Sequence, residues 1–443
     1  MTDLLAARTQ MAMSLGFHII FAALGIAMPA MIATAEWRWL RKGDRDALAL
    51  AQRWSKGTAV LFAVGAVSGT VLSFELGLLW PAFMERAGPM IGPLFALEGF
   101  AFFTEAIFLG IYVYGWSRIL PWMHFVSGLA VAASGIASAW FVVTANAWMN
   151  APIGLGPEGG PSAQFDPLAP LRHPVAWHET GHMLLAAFAA TGFLVAGIHA
   201  WALLRDPRSG FHRLALMIAL AVGGVPALLQ PLSGDLIART VADHQPAKLA
   251  AMEALFQTER GADFIVGGIA DTETRTVSYA VRIPKGLSLL LHGDPRAEVT
   301  GLDRFPREDW PPVTVVHMAF QLMVSCGLLM TTVAVWSGWR ALRGWRIEDD
   351  RRLLYAFILT APLGFVAIEA GWVVTEVGRQ PWIIDHVMRT SEAVTPMPGL
   401  WIPMVTFSIL YVMLAGVVCW AMWRHIAATA GPLSPASLKE PVS

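Results

Sequence analysis

The chain has 443 residues, of which 56% are hydrophobic and 14% are charged, and its formal net charge at pH 7 is −1. Soluble globular proteins usually carry about 25% charged residues, so this composition excludes an ordinary soluble enzyme and predicts a membrane protein with several spans. The balanced charge indicates no nucleic-acid partner, and two cysteines, Cys326 and Cys419, exclude a disulfide framework or a thiolate-rich metal site.

Apolar stretches of about 20 residues, long enough to cross the hydrocarbon core as helices, recur along the chain. We predict about nine spans, and therefore an all-α, polytopic membrane protein. The span centres are Ala27, Val67, Ile107, Ala137, Ala190, Ile218, Leu328, Pro362 and Val412. Gly or Pro residues interrupt the spans near Ile218 and Pro362, so the pattern leaves the ends of these two open.

The loops between the spans alternate in charge. The basic residues of the first, fifth and seventh loops are Arg38, Arg41, Lys42, Arg45, Arg53, Lys56; Arg205, Arg208, Arg213; and Arg340, Arg343, Arg346, Arg351, Arg352. Under the positive-inside rule these odd-numbered loops are cytoplasmic, whereas even loops such as Gly154 to Pro170 are richer in Gly and Pro. The N-terminus is therefore expected outside and the C-terminus in the cytoplasm, which requires an odd number of spans.

One outer loop is much longer than the others and divides the chain. We expect helices 1–6 in residues 1–230, a long extracytoplasmic loop in 231–312, helices 7–9 in 313–430 and a polar tail in 431–443. The loop contains a helix-like stretch, Ala247 to Thr258, and a strand-like stretch, Val277 to Ile283. Loops of this length in a compact protein are usually functional or disordered.

Five carboxylates lie within or at the edge of apolar spans: Glu75, Glu98, Glu105, Glu369 and Glu376. An acid at the centre of a membrane helix costs about 2.5–3.5 kcal/mol on insertion scales, so such residues usually face a bundle interior or water. Glu75, near the loop at Trp80, could instead lie at the membrane interface. Glu98 and Glu105 are seven residues apart and share one helix face, which indicates a proton relay, a metal site or a haem site.

Two histidines and one methionine are candidate ligands. His18 lies inside the first span, His182 near the start of the fifth and Met323 in the seventh. A lone buried His more often makes a hydrogen bond in a protein core, although burial in lipid weakens that alternative. A lone Met in an apolar helix is nearly always a packing residue. The residues alone therefore leave all three open.

A different class of function is suggested by His178-Glu179-Thr-Gly-His182, which has the form H-E-x-x-H. On a helix this motif places two histidines on one face with a glutamate base, as in zinc metalloproteases, including intramembrane ones. Asp235 is the candidate third ligand. The motif matches often by chance and leaves the intramembrane glutamates unexplained. A proton-coupled transporter, which would contain no haem, is the other alternative.

Several segments resemble subunit I of the cytochrome bd-type quinol oxidases. The most specific is Gly371-Trp372-Val-Val-Thr-Glu376-Val-Gly378-Arg379-Gln380-Pro381-Trp382, similar to the family signature G-W-x-x-x-E-x-G-R-Q-P-W. The other matching segments are Glu98-Gly-Phe-Ala-Phe-Phe-Thr-Glu105, Ala145-Asn146-Ala-Trp148-Met149, His182-Met-Leu-Leu-Ala-Ala-Phe188 and Lys248-Leu-Ala-Ala-Met-Glu253. The resemblance implies two four-helix bundles with one peripheral helix, in a bacterial cytoplasmic membrane.

The resemblance also implies the iron ligands. His182 and Met323 match the axial ligands of a low-spin haem b, a pair that raises the potential of haem iron. His18 and Glu376 match the ligands of two high-spin haems, one haem b and one haem d, and which ligand serves which haem stays open. Arg379 could bind a haem propionate or the surroundings of Glu376.

Further roles follow from the same resemblance. Trp372 matches an aromatic residue near the high-spin haems, and Glu98 and Glu105 match acids that deliver protons to dioxygen. Lys248 and Glu253 match a quinol-site pair in the outer loop, although a solvated helix face is the alternative from sequence alone. Quinol protons would leave outside while water forms with cytoplasmic protons, generating a membrane potential without pumping. A second subunit would complete a heterodimer, with a possible small accessory subunit.

The sequence departs from the family pattern at three places. Gln321 stands where many members have Arg, which could lower the potential of the low-spin haem. Glu98 and Glu105 are seven residues apart where eight is common. The quinol loop is of the short type. These features resemble the cyanide-insensitive branch, in which a third haem b can replace haem d.

Overall fold

A computed structural model of the chain describes residues 2–155 and 166–429, so the expected tail at 431–443 and part of the Gly154 to Pro170 loop lie outside the described residues. The helices are α1 (Asp3–Lys42), α2 (Arg45–Leu79), α3 (Pro81–Gly115), α4 (Pro121–Asn150), α5 (Pro174–Arg205), α6 (Gly210–His244), α7 (Pro246–Met252), α8 (Gly286–His292), α9 (Val313–Leu342), α10 (Arg351–Thr360), α11 (Leu363–Val377), α12 (Thr390–Ala393) and α13 (Trp401–Thr429).

Nine helical segments of the described chain are long and apolar enough to cross a membrane, which confirms the predicted number. Helices α1–α4 pack together as one bundle, and α5, α6, α9 and the α10–α11 pair form a second. Helix α13 packs against α1 and α2, and only 11% of its most apolar window is buried. The expected arrangement of two four-helix bundles and one peripheral helix is therefore confirmed.

Local sequence signals explain where many helices begin. Pro residues occupy the first position of α3, α4, α5 and α7, where a missing N–H costs nothing and the fixed φ suits a helix. The carboxylate of Asp44 caps α2, the hydroxyl of Ser209 caps α6, and the carboxylate of Asp350 caps α10. Charged or polar residues therefore mark the helix ends that face the first, fifth and seventh loops.

Small residues bring the helices of the second bundle close together. A Cβ placed on Gly192 of α5 would lie 2.5 Å from the Cα of Gly223 of α6, and one on Gly364 of α11 would lie 2.4 Å from the Cα of Ala190. Such contacts are possible only where side chains are absent or small, as is common between membrane helices. Helix α5 is thereby held closely against both α6 and α11.

Prolines lie within two spans, as the sequence indicated, and break one of them. The eighth span breaks at Pro362 into α10 and α11. In α6, Pro231 cannot donate to the carbonyl of Ala227, and the Thr331 hydroxyl of α9 donates to that oxygen at 2.8 Å instead. A neighbouring helix therefore satisfies the backbone group that the proline leaves free.

The long loop is shorter than predicted because α6 continues to His244, beyond residue 231 where the loop was expected to begin. The predicted helix at Ala247 to Thr258 ends earlier, at Met252, and the predicted strand at Val277 to Ile283 is found as β3. The strands of the described chain are β1 (Glu259–Arg260), β2 (Phe264–Asp271), β3 (Thr276–Ile283), β4 (Glu298–Val299), β5 (Trp382–Ile384) and β6 (Met388–Arg389). They form three antiparallel pairs, β1–β4, β2–β3 and β5–β6.

Candidate functional site

The imidazole of His182 is oriented by a serine on the neighbouring helix α6. Its Nδ1 lies 2.8 Å from the Ser233 hydroxyl, which donates its own proton to the carbonyl oxygen of Gln230 at 2.9 Å. Because that hydroxyl proton is already used, Nδ1 carries a hydrogen and donates it to Ser233. Nε2 is then the lone-pair nitrogen, the form that a metal ligand requires, and the Gln230 side-chain amide lies 3.1 Å from it.

Met323 lies against a glycine of α11. A Cβ on Gly371 would come within 3.1 Å of the Met323 sulfur. The absence of a side chain at residue 371 therefore leaves room for the thioether between α9 and α11. Helix α11 packs against both α5, which carries His182, and α9, which carries Met323.

His18 is oriented in the same manner as His182. Its Nδ1 lies 3.0 Å from the Ser68 hydroxyl of α2, and that hydroxyl donates to the carbonyl of Val64 at 3.0 Å. Nδ1 therefore carries the hydrogen and Nε2 keeps its lone pair. A Cβ on Gly69 would lie 2.9 Å from His18 Cε1, so this ring position requires glycine on the facing helix. Both histidines fit the donor chemistry of haem iron.

Glu376 is held from two sides at the end of α11. Its Oε1 accepts a hydrogen bond from Asn146 Nδ2, and its Oε2 accepts one from Arg379 at 2.6 Å. The Glu376 side chain is 31% exposed, whereas that of Arg379 is 1% exposed. An ionised carboxylate has about four acceptor positions, so two hydrogen bonds leave it able to coordinate iron. The side chain of Trp372, half-buried on the same helix, packs against the cluster that includes Ala187, Ala190 and Ile368.

Glu98 and Glu105 of α3 both face α4. Glu98 Oε1 accepts a hydrogen bond from the Ser138 hydroxyl at 3.0 Å. Glu105 is buried, and a Cβ on Gly135 would lie 3.6 Å from its carboxylate oxygens. The two acids therefore share one helix–helix seam, together with a serine that can pass a proton.

The remaining intramembrane acids are also inside the bundle. Glu75 is 3% exposed and its Oε1 accepts hydrogen bonds from Gln10 at 2.8 Å and Ser14 at 2.9 Å, so it is buried against α1 rather than exposed to interfacial water. Glu369 of α11 points toward Gly16, whose Cβ would lie 3.1 Å from Oε2, and its Oε1 has no hydrogen-bond partner in the described chain.

Lys248 of the outer loop reaches into the same region as Glu376. Its ammonium donates to Asn150 Oδ1 at 3.0 Å and to Gln245 Oε1 at 2.7 Å, and the residue is 4% exposed. Burial and, to a smaller extent, the Arg379 cation lower the pKa of Lys248 to about 8, although the carboxylates of Glu179, Asp385 and Glu376 oppose the shift. A pocket that is partly open to solvent lies beside Lys248, and its lining residues include Arg379, Trp382, Phe305 and Asp385.

Glu253 lies at the C-terminal end of α7 and does not line the pocket beside Lys248. It is 3% exposed, its Oε2 has no hydrogen-bond partner among the described residues, and burial raises its pKa to about 8. Lys248 on α7 and Glu253 at its C-terminal end are therefore both buried, and neither lies on the solvated helix face that sequence alone allowed.

Gln321 connects α9 to the outer loop. Its amide donates to the carbonyl of Ile265 at 3.0 Å and accepts from the N–H of Gly267 at 2.8 Å. Both polar atoms of the side chain are therefore used by β2.

The zinc-site hypothesis finds no geometric support. In residues 2–155 and 166–429 no group of three His, Cys, Asp or Glu side chains could hold a metal ion. His178 pairs with the Thr240 hydroxyl at 2.6 Å, Glu179 with Asn150 at 3.0 Å, and Asp235 forms an ion pair with Arg239 at 2.9 Å. The three residues proposed as one site thus have separate partners.

Some structural features were not predicted from sequence. They include the serines that orient the histidines, Ser68 and Ser233, and the hub residue Asn150. They also include a buried triad in which Glu36 contacts Tyr112 at 2.5 Å and His124 at 2.7 Å. A polar residue in an apolar helix was the available signal for each, but only the fold pairs it with its partner.

The chain is similar to known proteins over most of its length. Residues 6–430 match the family model described as "Cytochrome bd terminal oxidase subunit I". A Bacillus subtilis (strain 168) protein named "Putative cytochrome bd menaquinol oxidase subunit I" is 36% identical over 430 residues, covering 95% of this chain and 96% of the relative. The "Cytochrome bd ubiquinol oxidase subunit 1" of the same organism is 30% identical over 440 residues, covering 96% and 94%. The solved bd oxidase from Geobacillus thermodenitrificans superposes with a TM-score of 0.90 at 36% identity, covering 96% of this chain and 98% of that one.

Proposed function

This chain belongs to the cytochrome bd terminal oxidase subunit I family, and from that premise we propose that it is the haem-carrying subunit that oxidises quinol and reduces dioxygen to water. Members of the family are quinol oxidases: multi-subunit, haem-containing complexes of bacterial membranes. The observation that carries the proposal within this chain is the pair of intramembrane histidines, His18 and His182. Each has Nδ1 hydrogen-bonded to a serine, and its Nε2 keeps the lone pair that can bind iron.

His182 and Met323 are the proposed axial ligands of a low-spin haem b. His18 and Glu376 are the proposed ligands of two high-spin haems, one haem b and one haem d or a third haem b. When bound, these groups supply one-electron transfer and a coordination position for dioxygen. Ser233 and Ser68 hold the imidazoles in the required tautomer, and Arg379 orients the Glu376 carboxylate.

The outer loop is proposed to bind quinol. The pocket beside Lys248 has aromatic and charged walls, which suit a ring carrying two hydroxyl groups. Lys248 donates hydrogen bonds that orient the ring. Glu253, a buried carboxyl with one unpaired oxygen, accepts a proton that quinol oxidation releases.

Protons for water formation are proposed to pass along the α3–α4 seam through Glu105, Ser138 and Glu98 from the cytoplasm. With the N-terminus outside, quinol protons leave on the outer face. Charge separation then follows from this geometry without a pump. We further propose a heterodimer with the second oxidase subunit in the bacterial cytoplasmic membrane, to which a small accessory subunit can be added.

A reduced-minus-oxidised spectrum of the purified complex, together with metal analysis, tests the proposal. We expect a low-spin haem b band, high-spin haem features and iron. Haem extraction and chromatography of the porphyrins would separate haem d from haem b. A complex that contains no porphyrin would refute the proposal, and one zinc per chain without haem would instead support the metalloprotease.

A further inference from the structure

Asn150, the last residue of α4, joins four elements of the fold. Its Oδ1 accepts from Lys248 Nζ at 3.0 Å and from an Arg379 guanidinium nitrogen at 3.0 Å. Its Nδ2 donates to Asn146 Oδ1 at 3.0 Å and to Glu179 Oε1 at 3.0 Å. The residue is 1% exposed, so these contacts satisfy its polar atoms without bulk water.

The contacts of Asn150 form one continuous path between the outer loop and the end of α11. Lys248 binds Asn150, Asn150 binds Asn146, and Asn146 donates to Glu376. Arg379 closes the path into a ring because it binds both Asn150 and Glu376. An amide is suited to this position because its oxygen faces two cations while its nitrogen faces two acceptors.

Glu179, from the H-E-x-x-H motif, supplies negative charge to this network. Two cations, Lys248 and Arg379, and two carboxylates, Glu179 and Glu376, surround Asn150 within the buried cluster. A buried charge is tolerated when opposite charges and hydrogen bonds compensate it. The motif therefore has a role in charge balance that needs no zinc.

We propose that Asn150 is a positioning residue that holds the Lys248 ammonium of the outer loop against the Arg379–Glu376 pair, with Glu179 as its counter-charge. This inference rests on the proposed function, because it assigns Asn150 to the coupling of the quinol pocket with the Glu376 haem site. Lys248 lies on α7, a short helix of seven residues within the outer loop. A fixed hydrogen-bond partner on α4 gives that lysine one position relative to the membrane helices.

Asn150→Leu, which keeps the approximate size of the side chain and removes both polar atoms, is the primary test. The measurements are KM and kcat for quinol, and the rate at which an amine-acylating reagent modifies Lys248, followed by mass spectrometry. Exposed Lys285, in the same loop, serves as the internal reference. Ser127→Ala is the matched control, since Ser127 is buried in α4 and bonds only locally, to the carbonyl of His124.

We expect Asn150→Leu to raise KM about tenfold, with a smaller change in kcat, because charge-assisted hydrogen bonds to Lys248 and Arg379 are lost. Acylation of Lys248 relative to Lys285 should become faster, and Ser127→Ala should behave as wild type. Unchanged KM and an unchanged acylation ratio would overturn the proposal. If the wild-type complex oxidised no quinol, the proposed function would fail, while the acylation ratio would still test Asn150.

A second pair of variants tests the proposal if the Asn150→Leu complex does not assemble. Asn150→Asp places a second carboxylate next to Glu179, whereas Asn150→Asp combined with Glu179→Gln restores a donor there. Acylation of Lys248 should be faster in the double variant than in the single one, because the loss of the Glu179 carboxylate removes an opposite charge that holds the Lys248 ammonium. Equal rates in both would overturn the role assigned to Glu179 and Asn150.

Discussion

The pH dependence of quinol oxidation should report Glu253 and Lys248, because both have a pKa of about 8. Glu253 accepts a proton only as the carboxylate, so activity should rise as pH increases through its raised pKa. At pH 7 about a tenth of it is ionised, and at pH 9 about nine tenths. Lys248 loses its charge over the same range, so the rate should fall above it. About a quarter of the molecules carry both required forms at pH 8, against about 1% at pH 6, a difference of about 25-fold in kcat/KM.

Oxygen consumption with quinol as donor, measured from pH 6 to 10 and corrected for autoxidation without enzyme, gives this profile. Glu253→Gln should remove the rising limb and leave a low rate that is independent of pH below about 8. Lys248→Met should remove the falling limb. A wild-type profile that is flat between pH 6 and 8, or a rising limb that persists in Glu253→Gln, would refute the assignment of Glu253 as proton acceptor.

Three further substitutions test the interior of the protein. His182→Ala should abolish the low-spin haem band in the reduced-minus-oxidised spectrum and spare the high-spin signals; equal loss of all haem would contradict the assigned ligand. Gly371→Ala should shift the low-spin band, because its Cβ would lie 3.1 Å from the Met323 sulfur, and an unchanged spectrum would count against that contact. His124→Ala should lower the thermal midpoint by leaving the Glu36 side chain, 0% exposed, without its imidazole hydrogen-bond partner at a cost of about 1–3 kcal/mol, whereas an unchanged midpoint would mean that this contact does not stabilise the fold.

The sequence predicted the membrane architecture because a lipid solvent leaves few choices. Backbone groups in a bilayer must be paired internally, so apolar stretches near Ala27 or Val412 can only be helices. The number of spans and the break at Pro362 followed from that constraint. The end of α6 did not, because past the membrane the helix from Pro231 to His244 carries polar residues that do not distinguish it from a loop.

From the sequence, the candidate site could be predicted only at residues whose type is unusual in an apolar helix. Acids and histidines in apolar helices, such as Glu105 and His18, are conspicuous because lipid penalises them. Their partners are not, since Ser68 and Asn150 are common residue types whose importance arises from contacts between distant segments. The H-E-x-x-H motif is an example in which the sequence suggested a site that the fold does not form. Its spacing on one helix suggested zinc, whereas His178 contacts Thr240 on α6 and Glu179 contacts Asn150 on α4.

Helix α6 carries none of the proposed iron ligands, yet it contacts His182 and the helix that carries Met323. The Ser233 hydroxyl of α6 bonds to His182 Nδ1 and so fixes the plane of the imidazole ring. The carbonyl of Ala227, also on α6, accepts a hydrogen bond from Thr331 on α9, the helix that carries Met323. A rotation of α6 about its own axis would therefore disturb the positions of His182 and Met323 together. Helix α6 therefore helps to set the distance between the His182 imidazole and the Met323 thioether, although it carries neither residue.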